Sequence, residues 1–446
     1  MLTNLESLGY HTMTPVQEQS LPVSLEGRDV IAQAQTGSGK TVAFGLSLLH
    51  RLEVQRFRIQ TLVLCPTREL AQQVADEIRK LARRTHNIKV LALCGGMPFG
   101  PQVGSLEHGA HIIVGTPGRV LHHLRRRTLS LHDLNTLVLD EADRMLDMGF
   151  EEELDAILEA CPDEKQTLLF SATFPEHIRS LSQSLQKDPV EITVETSPQH
   201  DDIQQILYKV DDIDDKLAVL EKVLLHHRPA SCLIFCEMKV DADGLANALW
   251  DKGFYALAMH GDLDQKARNE VLILFSNKSF SILVATDVAA RGLDIKDLEM
   301  VVTFDLPRDP EVHVHRIGRT GRAGSKGIAV SLAGPKDGRK LQSIKRLLGT
   351  ELPTGEIEAL PIENEEPPEP EMVTLCLDSG KKRKLRPGDI LGALTKEGGL
   401  PGDLIGKINI FPYVSYVAVH HTIADAAVEH LTHGKVKGRQ QKVRRI

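Results

Sequence analysis

No stretch of this 446-residue chain approaches the roughly 20 uninterrupted apolar residues that a membrane-spanning helix needs. Residues 1–10, M-L-T-N-L-E-S-L-G-Y, have neither a basic flank nor an apolar signal core. A cytoplasmic protein without a membrane partner is the expectation. Its six cysteines, Cys65, Cys94, Cys161, Cys232, Cys236 and Cys376, contain no Cys-x-x-Cys pair. Cys232 and Cys236 sit in the apolar run S-C-L-I-F-C, so burial is expected for them rather than redox or metal chemistry. Histidines are dispersed too. The adjacent pairs His122–His123, His226–His227 and His420–His421 point apart on any helix or strand, which disfavours a histidine metal site.

Apolar residues make up 41% of the chain, enough for several buried cores. Charge is unevenly spread. Residues 372–446 hold 13 Lys/Arg against 6 Asp/Glu, a net +7, so the preceding 371 residues carry −15 of the overall −8. A basic tail on an acidic body suits a polyanionic partner.

Short, nearly continuous apolar runs start at Asp29, Thr61, Val90, His111, Thr136 and Thr167. They read as parallel strands covered on both faces. Helix-like stretches such as residues 68–84 separate several of them, which predicts an α/β sheet. A second strand series follows at residues 232–236, 256–260, 282–287, 301–306 and 328–332, after a polar join near residues 197–202. Residues 351–371 hold eight Glu, five Pro and no Lys or Arg, which predicts an extended, mobile linker. The tail then reads strand 373–377, helix 387–394, strands 408–411 and 416–419, helix 424–431 and strand 441–443. That is the βαββαβ order of RNA-recognition folds. The predicted domains are 1–198, 199–350, the linker 351–371 and the tail 372–446.

Two motifs carry chemistry. Residues 34–41, A-Q-T-G-S-G-K-T, form a phosphate loop: Ala34, Gln35, Thr36, Gly37, Ser38, Gly39, Lys40 and Thr41. Closely spaced N–H groups and a helix start face the anion, and glycines allow close approach. Lys40 supplies a charge for the β- and γ-phosphates, and Thr41 a hydroxyl for Mg²⁺. The general pattern has glycine where this chain has Ala34. Downstream, residues 139–143 read L-D-E-A-D, a strand ending in carboxylates. Asp140 would hold Mg²⁺ and Glu141 would orient and deprotonate water. The pair predicts an ATP hydrolase with ATP and Mg²⁺ as cofactors.

Taken in order through both α/β domains, these motifs resemble those of the DEAD-box ATP-dependent RNA helicases. The resemblance implies two RecA-like domains in tandem, followed by the RRM-like α+β tail. It makes Gln17 in G-Y-H-T-M-T-P-V-Q an adenine-selecting residue, whose amide donates and accepts at once. It places Pro66, Thr67, Arg68, Gly95, Gly96, Thr116, Gly118 and Arg119 on RNA in the first domain. In the second it places Gln265, Arg268, Thr286, Arg291 and Gly292 there. Ser171 and Thr173 of S-A-T, with Asp143 and His315, would couple hydrolysis to unwinding. Asp294 would contact the ribose. Arg319 and Arg322 of H-R-I-G-R-T-G-R would act as arginine fingers on the γ-phosphate. The family usually has an aromatic residue well upstream of its glutamine. Here the first phenylalanine is Phe44, and Tyr10 is expected to pack within the motif itself.

The tail resembles the RNA-binding domain of one bacterial branch of that family. The resemblance implies recognition of a hairpin in the peptidyl-transferase region of large-subunit ribosomal RNA. It further implies action on pre-ribosomal particles during large-subunit assembly; nothing in the sequence suggests obligate oligomerisation, so a monomer is the expectation. Lys381, Lys382, Arg383, Lys384, Arg386 and Lys407 are the candidate RNA contacts. The central-strand stretch Y-V-S-Y-V-A-V-H has only Tyr413 and Tyr416, so loops and strand edges are expected to bind RNA rather than the sheet face. Alternatives are a helicase with no site preference, or an ATP-gated RNA clamp that remodels without unwinding.

Overall fold

Runs such as Thr61–Leu64 and Ile112–Gly115 are buried along their whole length, which a strand achieves only with layers on both sides. The computed structural model describes residues 2–34, 37–194, 203–212, 215–290, 298–321 and 326–446. The chain divides into two units, one built on the N-terminal sheet, the other running from the second sheet through the tail.

The first unit has seven parallel strands: β1 (Val30–Gln33), β2 (Thr61–Leu64), β3 (Val90–Leu93), β4 (Ile112–Gly115), β5 (Thr136–Asp140), β6 (Gln166–Ser171) and β7 (Val190–Thr193), in the order β3-β4-β2-β5-β6-β1-β7. Cores lie on both faces of the sheet. The helix Arg68–Ala82 shows why the flanking layers form. Leu70, Ala71, Val74, Ala75, Ile78, Leu81 and Ala82 make one buried stripe, and the Thr67 hydroxyl caps the start by accepting from Leu70 N at 3.2 Å.

The second unit's sheet has six parallel strands: β8 (Ile203–Lys209), β9 (Cys232–Cys236), β10 (Ala256–Met259), β11 (Ile282–Thr286), β12 (Met300–Thr303) and β13 (Gly327–Ala333), in the order β10-β11-β9-β12-β13-β8. The tail adds an antiparallel sheet of β14 (Met372–Leu377), β15 (Ile405–Ile410), β16 (Ser415–His420) and β17 (Val443–Arg445), ordered β15-β16-β14-β17. With the helices Pro387–Gly392 and Ala424–His433 it has the βαββαβ order read from sequence. The polar join at residues 197–202 lies outside the described residues. Among the described residues, no helix is long and apolar enough to cross a membrane.

Residues 351–371 correct the expectation of a mobile linker. They are extended but tied down along the second sheet's edge. Leu207 N donates to Pro353 O at 2.8 Å and Gly355 N donates to Leu207 O at 2.9 Å, so the chain pairs briefly with β8. Leu352 is buried with Leu207, Leu306, Ala333 and Ile344, while Ile357, Leu360 and Ile362 pack on the neighbouring core. The Arg228 guanidinium donates to Glu366 O at 2.9 Å. Composition predicted looseness because it averaged four apolar anchors away among eight glutamates.

The tail is not loose either. On β14 and β16, Leu375, Leu377, Val417 and Val419 face the tail's helices. Strand alternation turns Thr374, Cys376 and Tyr416 to the opposite face. There Cys376 and Tyr416 pack on Ile273 of the helix Gln265–Ser276. Thr374 Oγ1 accepts from Asn277 Nδ2 at 3.1 Å and shares a 2.6 Å bond with Ser279 Oγ. Lys407 Nζ donates to Ser276 O at 3.0 Å.

Candidate functional site

Apart from Gln17, on the helix Pro15–Leu25, the first-domain candidates hang from the carboxyl edge of one sheet, where parallel α/β folds bind ligands. Strand order sorts them. The phosphate loop leaves β1, the D-E-A-D turn leaves β5, and S-A-T leaves β6, three adjacent strands. P-T-R-E-L leaves β2, Thr116–Arg119 leaves β4, and Gly95–Gly96 leaves β3, the other three neighbours. Nucleotide and RNA candidates therefore occupy two halves of one edge.

In the phosphate loop, Gly37 and Gly39 have φ of +90° and +94°. A Cβ on Gly39 would fall 2.5 Å from Gln17 Nε2. Gln17 is buried; its Oε1 accepts from Thr14 N at 3.0 Å and its Nε2 donates to Gly39 O at 3.1 Å. The glutamine read as adenine-selecting thus also braces the loop. Ala34 is buried, and its carbonyl accepts from Lys40 Nζ at 2.9 Å. Lys40 opens the helix Lys40–Arg51 and is 5% exposed. Ser38 and Thr41 are half-buried. Gln35 and Thr36 lie outside the described residues. Tyr10 packs against the core beside this motif, but its hydroxyl leaves the motif and donates to Glu77 at 2.7 Å.

Three carboxylates follow β5 in different states. Asp140 is buried, and its Oδ1 has no hydrogen-bond partner among the described residues. Burial, reinforced by Glu141 and Asp143 and opposed by Lys40, pushes its pKa up to about 7. Glu141 adopts a left-handed conformation, φ +55°, uncommon for a non-glycine residue and characteristic of functional turns. Arg144 Nη1 donates to Glu141 Oε2 at 2.9 Å, with both side chains buried. Asp143 Oδ2 accepts from Ala172 N at 3.1 Å and from Thr173 N and Oγ1 at 3.0 Å each. Burial opposes its ionisation, but those bonds with Lys40 and Arg144 prevail and hold its pKa below the usual value. Ser171 Oγ accepts from Asp143 N at 3.4 Å. The D-E-A-D turn and S-A-T are thereby one hydrogen-bonded unit.

The donor set suits Mg²⁺. Asp140 offers an unpartnered oxygen and Thr41 a hydroxyl, both hard ligands. No cluster of three or more His, Cys, Asp or Glu able to hold a metal occurs among the described residues. A Mg²⁺ here would complete its shell with phosphate and water oxygens.

On the RNA half, Pro66, Thr67 and Thr116 are buried, whereas Arg68, Gly96 and Gly118 are exposed. The Arg68 guanidinium lies against Gly95, where a Cβ would come within 3.2 Å of it. Arg119 donates to Gln102 Oε1 at 3.1 Å and Met97 O at 3.0 Å, over the Phe99 ring. Gln102 also bonds His123, whose burial pushes its pKa down to about 4. That explains the His122–His123 pair as packing.

In the second unit, Thr286 is buried at the end of β11 and half-buried Gln265 and Arg268 open the helix Gln265–Ser276. His315 is half-buried on the helix Pro310–Ile317, and Arg319 is buried just past it. Arg291, Gly292, Asp294 and Arg322 lie outside the described residues.

Sequence reasoning missed Arg144, Gln102 and the pair of buried Arg316 with half-buried Asp287, in which Arg316 Nε and Nη2 reach the carboxylate at 2.8 and 2.7 Å. The i,i+3 spacing of Glu141 and Arg144 was a signal for the first. Arg316 stands inside the quoted H-R-I-G-R-T-G-R, which was its signal, whereas Gln102 had none outside its neighbours in space.

In the tail, Lys381, Lys382, Arg383, Lys384 and Arg386 are all exposed around one turn. Lys381 N and Lys382 N donate to Phe411 O and Pro412 O at 2.8 and 2.9 Å, which sets the basic turn beside Tyr413, 72% exposed. Lys407 stands apart, in the seam with Ser276. Tyr416 is 3% exposed and unavailable for stacking.

Comparison with known proteins gives the family. The DEAD/DEAH box helicase family matches residues 14–181, and the helicase conserved C-terminal domain matches residues 215–324. The chain belongs to the DEAD-box family and is an ATP-dependent RNA helicase. Within that class it is similar to the ATP-dependent RNA helicase DbpA of Escherichia coli, 51% identical over 99% of this chain and 96% of the relative. It is 38% identical to DbpA of Bacillus subtilis over the same shares. Residues 374–445 match the DbpA RNA binding domain. Among solved structures, Saccharomyces cerevisiae Dbp5 bound to RNA and ADP BeF3 is 32% identical with a TM-score of 0.73, covering 80% of this chain and 93% of that one.

Proposed function

We propose that this helicase is directed by its tail to a hairpin of large-subunit ribosomal RNA and acts in the cytoplasm during assembly of that subunit, as a monomer on pre-ribosomal particles. The observation that supports the address is the exposed basic turn at residues 381–386, pinned beside Tyr413 in a domain matching an RNA-binding family. Its five cations suit phosphates, and Tyr413 offers a stacking face off the covered sheet.

In the motor, Lys40 would hold the β- and γ-phosphates, and Thr41 with Asp140 would hold Mg²⁺. The metal, when bound, neutralises phosphate charge. Glu141 would accept the proton of the attacking water as its oxygen bonds to the γ-phosphorus. The bond to the β–γ bridging oxygen breaks and ADP leaves. Arg319 and Arg322 would be the second unit's contribution to charge on the transferring phosphoryl. Asp143, bonded to Thr173, would carry the change at Glu141 into S-A-T. Gln17 would select adenine and Asp294 the ribose. Pro66, Thr67, Arg68, Gly95, Gly96, Thr116, Gly118, Arg119, Gln265, Arg268, Thr286, Arg291 and Gly292 would grip RNA by its backbone, which permits unwinding without base reading.

The test is ATP-dependent displacement of a short strand annealed beside the hairpin. Displacement that needs both ATP and the hairpin supports the proposal. Hydrolysis without displacement favours the clamp, and displacement indifferent to the hairpin favours a general helicase.

A further inference from the structure

The second unit carries an aromatic cluster that reaches its surface. Trp250, the chain's single tryptophan, ends the helix Lys239–Asp251 and is 53% exposed. Its ring stacks on Phe280 with centroids 5.9 Å apart and planes 20° from parallel. Tyr255 stands edge-on to both, at 6.0 and 6.1 Å. Tyr255 directly precedes β10 and Phe280 lies just before β11, so the cluster marks the amino edge of the sheet, opposite Thr286. The rings lie apart from the main core of this sheet, Tyr255 and Phe280 half-buried and Trp250 exposed.

Two observations indicate what the cluster meets. It borders the seam with the RNA-binding tail: Ser279, next to Phe280, bonds Thr374, and Lys407 of the tail reaches Ser276. It is also flanked by cations. Lys278, two residues before Phe280, is exposed in a left-handed turn at φ +59°, and Lys407 is exposed where it meets Ser276, two residues earlier. Lys252, next to Trp250, is paired with Glu221 at 2.6 Å. A protein partner would need a wider apolar surround than three rings among charges. An offset aromatic stack with the exposed Lys278 and Lys407 at its border matches the faces and phosphates of unpaired nucleotides.

We propose that Trp250, Phe280 and Tyr255 form a stacking platform for single-stranded RNA that flanks the element held by the tail, a proposal resting on the tail's role as RNA address. The tail would fix the folded element, and the platform would take the strand leaving it. Stacking is indifferent to base identity, so the platform adds affinity and direction rather than sequence choice.

Because Trp250 is the only tryptophan, its emission reports this site alone in the full chain. The probes are the hairpin with a blunt end, the same hairpin with a short single-stranded flank, and oligouridine, with binding followed separately by anisotropy of labelled RNA. Flanked hairpin and oligouridine should quench Trp250 and the blunt hairpin should not. W250A should weaken binding of the flanked hairpin by about fivefold or more, the effect of one lost stack. It should leave the blunt hairpin unaffected, and W250F should restore the difference. Unchanged emission while anisotropy shows flanked RNA bound overturns the proposal. So does an emission change that follows protein concentration without RNA, which would assign the face to a second copy. If anisotropy shows no preference for the hairpin, the address fails, and quenching by oligouridine still decides the platform.

Discussion

Three neighbouring carboxylates show how position alone assigns chemistry. Asp140, Glu141 and Asp143 carry the same group, yet one has an oxygen without a partner among the described residues, one is held by Arg144, and one accepts from three donors at Oδ2. Glu141→Gln should lower RNA-stimulated ATP hydrolysis by about 10²–10⁴-fold, the range for a lost general base, with nucleotide binding retained in an equilibrium assay. Asp143→Asn removes charge-assisted bonds and should cost about 1.5–3 kcal/mol, read as a lower melting temperature of the first unit. Asp140 gives a pH signature. Its folded pKa of about 7 lies above the ordinary aspartate value of 3.8, so the ligand-free protein is stabilised by protonating it. That stability is present at low pH and is lost as pH rises from about 4 to about 7. A cation on Oδ1 must displace this proton, so Mg-nucleotide affinity should rise about tenfold between pH 6 and pH 8 beyond the nucleotide's own titration. Calorimetric titrations with wild type and Asp140→Asn check it; identical pH profiles would contradict it. The two motifs were legible as sequence because phosphate loops and paired carboxylates have fixed local spacing. The states of the carboxylates were not, because they depend on Lys40 and Thr173, roughly 100 and 30 residues away in sequence.

Among the elements, what the sequence revealed follows burial. Strands buried on both faces announced themselves as apolar runs, β2 and β9 most clearly. The edge strands β7 and β8 did not, since their exposed positions break the run. The strap at residues 351–371 was misread for the related reason that its anchors are sparse. Gly355 is its tightest point: a Cβ would lie 2.4 Å from Tyr208 Cε1 and 2.8 Å from Cζ. Tyr208 is buried in the core, so Gly355→Ala should lift the strap at a cost of about 1–3 kcal/mol. A lower melting temperature and faster proteolysis within residues 351–371 would show it; wild-type values for both would mean that the strap contributes nothing. Ending the chain at Thr350 would likewise strip Leu352, Ile357, Leu360 and Ile362 from the second unit, so truncation is a poor way to isolate the motor.

Across the whole molecule, the tail's sheet is the point on which sequence and structure meet. The sequence lacked the aromatic signature of a stacking sheet, and the structure supplies the reason: Thr374, Cys376 and Tyr416 are spent on Ile273, Asn277 and Ser279. The basic turn and Tyr413 stay exposed, and they are the surface proposed above for RNA, on the same body as the helix bearing Gln265 and Arg268. Sequence placed the cations but could not place Tyr413 beside them, because the Lys381–Phe411 bond joins residues 30 apart. The most direct test is the ATPase rate of the full chain with the hairpin RNA, with total ribosomal RNA, and with unrelated RNA of equal length. Each is repeated on K382E/R383E, whose exposed positions leave the fold intact. If only hairpin-bearing RNA activates fully, and the double variant loses that preference while keeping its response to unrelated RNA, the tail is the address. Equal activation by every RNA in both proteins would contradict it.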